Sequence, residues 1–117
     1  MTKLLPIALA FLTLSCVPLP PSPQPDIAVS VTVVKSMGLR QCEGGVVSPD
    51  RLAAELKAAG VTVHTASCGS DGLMRPAVCG GGTHDIGIFS IATADLSKAK
   101  QAGFGPMASD ARVTPCR

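Results

Sequence analysis

The sequence of 117 residues contains no tryptophan, no tyrosine and only three phenylalanines. It therefore lacks the stacking platforms that hold single-stranded nucleic acid, and those that commonly hold sugar faces. Charge is also sparse. Ten Lys and Arg against eight Asp and Glu leave a formal charge of +2 with no basic stripe, which argues against nucleic acid as a partner. No Cys-x-x-Cys exists for thiol redox work. The Gly80-Gly81-Gly82 run lacks the Lys-Ser/Thr that a phosphate-binding loop requires, and acidic residues stand singly rather than as catalytic pairs. Ser70, Thr83, His84 and Asp85 offer no triad by sequence, because adjacent residues cannot converge on one atom. The chain therefore reads as a non-enzyme with no cofactor. The apolar content is mostly small, Ala and Val, so a domain of this size buries little area per residue and gains from disulfides or a metal.

The N-terminal stretch MTKLLPIALAFLTLSC has a positive residue, Lys3, ahead of the apolar run Leu4–Leu14. That run has the length of a signal-peptide core and falls short of the ~20 residues of a spanning helix. Leu12-Thr13-Leu14-Ser15-Cys16 resembles the lipobox of bacterial lipoproteins, with Thr13 where that family most often has Leu. After it, VPLPPSPQPD holds five prolines in ten residues, a semi-rigid polyproline spacer of roughly 30 Å. The resemblance implies cleavage before Cys16, acylation of Cys16 and a permanent lipid anchor in the membrane. It also implies sorting to the outer membrane, facing the periplasm, because Val17 replaces the Asp that retains such proteins in the inner membrane. The expected organisation is signal peptide 1–15, lipidated Cys and Pro-rich linker 16–26, and a single α+β domain 27–117.

Within that domain, Ile27–Lys35 alternates β-branched and small residues with the period of a strand. Leu39–Glu43 is either its continuation after Gly38 or a second short strand. Ser48-Pro49-Asp50 opens a helix ended by Gly60, with Leu52, Ala53, Leu56 and Ala59 inward and Arg51–Glu55 paired outside. Val61–Cys68 reads as a strand with His64 and Cys68 on one face, and the apolar Asp85–Ala92 as the sheet centre. A second helix spans about Thr93–Ala102 before Gly103, and Gly105–Ala108 begins a last edge strand. Both helices end alike, as Lys-Ala-Ala-Gly-Val and Lys-Gln-Ala-Gly-Phe. The order predicts a small antiparallel sheet with two helices on one face, β-α-β-β-α-(β), which resembles a ferredoxin-like sandwich.

Export into an oxidising space makes Cys42, Cys68, Cys79 and Cys116 two disulfides, with three possible pairings. Cys68 and Cys79 flank one strand-to-strand loop, so the expected bridges are Cys68–Cys79 and Cys42–Cys116, worth ~3 and ~4.5 kcal/mol by chain entropy. A metal site would instead draw on His64, Cys68, Cys79 and His84, whose separations match no local zinc knuckle. The expected role is structural or protein-interacting in the envelope, through the sheet's free face or edge. Metal handling and cell-wall binding are the alternatives.

Overall fold

The computed structural model of the chain describes residues 14–19 and 29–117. The expected signal peptide (apart from its last two residues), most of the linker and the Ile27-Ala28 start of the first strand lie outside the described residues. The elements are β1 (Ser30–Ser36), α1 (Asp50–Ala58), β2 (Val63–Ser70), β3 (Asp85–Ala92), α2 (Leu96–Gln101) after a 3-10 turn at Thr93–Asp95, β4 (Gly105–Pro106) and β5 (Arg112–Val113). All five strands join one antiparallel sheet in the order β4-β1-β3-β2-β5, so the domain is α+β.

β3 occupies the centre because it is apolar on both faces. Phe89 and Ile91 are buried on one side, Ile86 and Ile88 on the other. Val31 and Val33 of β1 lie opposite Ile91 and Phe89 and so share their face. Leu52 and Leu56 of α1 and Ala99 of α2 join Val33, Phe89 and Ile91 in a single cluster, which places both helices over that face. Truncating a wholly buried leucine such as Leu56 to alanine costs ~2–5 kcal/mol in such a core.

Alternation also turns Lys35 toward the helices. Its Nζ donates to Glu55 Oε2 of α1 at 2.8 Å and to the Ala102 carbonyl beyond α2 at 3.0 Å, and lies 5.1 Å from the centre of the Phe104 ring. One strand residue thereby holds both helices. The Lys35 ammonium, against a smaller upward push from burial, keeps the Glu55 carboxyl below its usual range. Arg51 pairs with Glu55 on the outside at 3.0 Å, as the i,i+4 spacing requires.

The shared helix endings have one geometry. Gly60 takes φ +82° and donates to the Lys57 carbonyl, while Val61 donates to that of Leu56. Gly103 takes φ +90° and repeats the pattern to Lys100, with Phe104 donating to Ala99. These are paired Schellman closures, in which the residue after glycine is also driven into the core. At the other end α1 starts at Asp50, with Pro49 as its cap residue and the Ser48 hydroxyl accepting from the Asp50 N–H at 3.2 Å.

Several details differ from the sequence reading. Val29 is exposed and precedes β1. Leu39–Glu43 forms no strand; it makes one bridge, Arg40 to Gly82, and a turn in which Cys42 takes φ +68°. A register shift between Val63 and Thr65 brings Ala66 opposite Phe89, so Val63, Ala66 and Cys68 share the helix-facing side across the irregularity at His64. β5 is additional. Residues 107–111 carry the chain from the β4 edge to the opposite edge, where Val113 and Arg112 pair with Gly69 and Ser70. Alanine at Gly69 would press its Cβ to 2.8 Å from the Arg112 carbonyl and onto Ile88, so this close approach needs glycine.

Candidate functional site

The four cysteines of the folded domain gather at the end of the sheet where β2 finishes and β3 begins, and their pairing corrects the expectation. The disulfides are Cys42–Cys79 and Cys68–Cys116, with Cα separations of 5.1 and 5.3 Å, rather than Cys68–Cys79 and Cys42–Cys116. The reason lies in strand length and parity. β2 runs on to Ser70, so Cys68 sits inside the strand, opposite Gly87 and 1% exposed, instead of at the mouth of the loop. The C-terminal tail returns beside β2, with Thr114 donating to the Cys68 carbonyl at 3.0 Å, and delivers Cys116. Val47 and Arg117 then exchange backbone hydrogen bonds, at 2.9 and 3.3 Å.

Cys42 and Cys79 instead join two loops, beside a side chain that clips them together. Gln41 Nε2 donates to the Pro76 and Gly82 carbonyls, both at 3.0 Å, and Gln41 Oε1 accepts from the Val78 N–H at 3.0 Å. Its backbone adds bonds to Gly80 and Gly81, and Arg40 Nη1 donates to the Gly80 carbonyl.

The residues considered for a metal are not assembled. Cys68 and Cys79 belong to separate disulfides, so neither offers a thiolate, and His64 is an exposed residue of β2. Among the described residues, no group of three or more His, Cys, Asp or Glu is placed to hold an ion. His84 instead directs Nδ1 to Asp71 Oδ1 at 3.3 Å. Asp71 also pairs through Oδ2 with Arg75 Nη2 at 2.9 Å. Burial pushes the Asp71 carboxyl up, but the Leu73 N–H, the Arg75 guanidinium and His84 together outweigh it and hold the group below the usual carboxylate range.

Arg75 and His84 line a cleft of about 440 Å³ together with Gln41, Thr83, Arg112 and Arg117 among others. At its wall the buried Asp85 accepts Arg117 Nη2 at 3.1 and 3.4 Å. Ser70 also reaches the cleft, but its hydroxyl accepts the Gly72 N–H at 3.3 Å and makes no hydrogen bond to His84. Sequence reasoning identified His84 and the cysteines but not Asp71, Arg75, Arg112 or Arg117. Only Asp71–Arg75, four residues apart, carried a local signal; the others meet through the tail. Comparison with family models, with curated proteins and with solved structures gives no match.

Proposed function

We propose that the chain is a small lipid-anchored protein of the bacterial envelope, in the outer membrane facing the periplasm, with a non-catalytic structural or protein-interaction role. The observation that carries this reading is the cysteine account. Of five cysteines, four are paired in two disulfides, and the odd one, Cys16, is free and exposed. Disulfides suit an exported domain, and an unpaired thiol in such a chain calls for another covalent fate. Cys16 stands between an apolar leader and a proline-rich spacer, where acylation supplies that fate. Among the described residues no helix is long and apolar enough to cross a membrane, so in this reading attachment falls to the lipid. The non-catalytic part rests on the unjoined Ser70 and His84. We also read the domain as ferredoxin-like, in support of which β1 and β2 flank β3 and β4 lies outside β1.

The test is metabolic labelling with a palmitate analogue in a Gram-negative host. The wild-type chain is expected to take label and fractionate with the outer membrane, whereas Cys16→Ala accumulates as unlabelled precursor. A wild-type protein that takes no label overturns the anchoring.

A further inference from the structure

We propose that the cleft at the end of the sheet is a binding site for a small oxyanion, the carboxylate or phosphate group of a soluble molecule. Its cationic groups exceed what its own carboxylates occupy. Arg75 commits Nη2 to Asp71, yet its Nη1 is buried and has no hydrogen-bond partner among the described residues. A guanidinium nitrogen withheld from both water and protein acceptors is costly, and a small turn of the part-exposed Arg75 side chain toward an anion in the adjoining cleft would satisfy it. Arg112, on the same cleft from β5, makes no ion pair among the described residues. Arg117 spends one nitrogen on Asp85 and leaves its side chain 68% exposed. Three guanidiniums therefore meet two side-chain carboxylates, Asp71 and Asp85, each of which already has its partner, and the remaining donors point to acceptor oxygens from outside.

The surroundings fit that chemistry. Thr83 on the rim adds a hydroxyl donor, and a volume of about 440 Å³ lies within the range of small-molecule sites. The site is also built in advance. Arg112 and Arg117 ride on the tail fixed by Cys68–Cys116, and the loop carrying Arg75 leads into the segment fixed by Gln41 and Cys42–Cys79. Donors held in place before binding lose less freedom on binding. The inference is independent of the lipid anchor, since it uses only residues of the folded domain.

The experiment is an NMR titration of the full, oxidised chain with inorganic phosphate and, separately, malonate, with sodium chloride as the ionic-strength control. Saturable one-to-one binding of at least one probe is expected, with shifts confined to residues about Thr83, His84 and Arg112. Arg112→Gln should weaken it about tenfold, the loss expected for one charge-assisted contact, whereas Lys57→Gln, away from the cleft, should leave it unchanged. Tighter phosphate than malonate assigns a phosphate-bearing ligand, and the reverse assigns a carboxylate. No saturable binding of either probe, or equal weakening by the two variants, overturns the site. Should Arg112→Gln fail to fold, the wild-type shift map decides alone: shifts spread over the surface, matching those from chloride, reject the proposal.

Discussion

The two disulfides place the same bond in unlike settings. Cys68–Cys116 has one sulfur in the hydrophobic cluster and ties the tail to β2, where backbone bonds from Thr114 and Arg117 run alongside it. Cys42–Cys79 joins two exposed residues of irregular loops, next to the Gln41 clip. Sequence separations of 48 and 37 give nearly equal loop entropies, ~4 kcal/mol each. Whatever distinguishes the bridges must then come from the native state. The buried one completes the core around Phe89, Leu52 and Leu56, while the exposed one holds an edge of the cleft.

Removing Cys68 and Cys116 together as alanines should be the most damaging change. It forfeits ~4 kcal/mol of chain restriction plus ~1 kcal/mol for the buried sulfur, close to the whole stability of a small domain. A urea midpoint that stays measurable and little changed would show that the tail is held without the bridge. Cys42→Ala with Cys79→Ala should cost up to ~4 kcal/mol, leaving the core packing and the near-UV signal of the phenylalanines intact. Equal losses in the two double variants would mean that burial of Cys68 contributes nothing.

Gln41→Ala is the finer probe of the loop side. It deletes three side-chain hydrogen bonds at the surface, and ~1–3 kcal/mol is expected, with faster amide exchange at Val78. Combined with loss of Cys42–Cys79 the effects should be non-additive, because clip and bridge hold the same segment. A strictly additive pair would separate them.

The smallest effect concerns acid. Asp71 has its folded pKa depressed, so its contribution is present above the unfolded value of ~3.9 and is lost as pH falls through the folded one. Amide protection, taken relative to the intrinsic exchange rate at each pH, should therefore fall in the residue 71–84 loop below about pH 4 while β3 remains protected. Asp71→Asn should exchange faster at neutral pH and lack that acid step. An acid step unchanged in Asp71→Asn would assign it to another carboxylate.

What could be read from the sequence was local. Asp85–Ala92 announces β3 by its nearly all-apolar run, and Gly60 and Gly103 announce both helix ends, because period and turn residues act within a few positions of themselves. The face of Cys68 was not legible, since one irregularity at His64 and two extra strand residues changed where the chain left the sheet. The cysteine pairing was misread for the same reason. The cleft was even less accessible: Arg112 and Arg117 reach Arg75 and Asp85 only through β5, a pairing of two residues that no periodic pattern marks.

The connectivity bears on how such a chain matures. Along the folded domain the bridges interleave, the first of its four cysteines with the third and the second with the fourth. A chain emerging N-terminus first would present Cys42 and Cys68 to an oxidant before either native partner had arrived. Rapid oxidation would then join the wrong pair, and release would need exchange by a later thiolate. The native order requires oxidation to wait until the sheet has turned Cys68 inward and left Cys42 to find Cys79. In this protein, early folding of the sheet is what would prevent mispairing, and a host with strong disulfide-isomerase activity should give the higher yield of native chains.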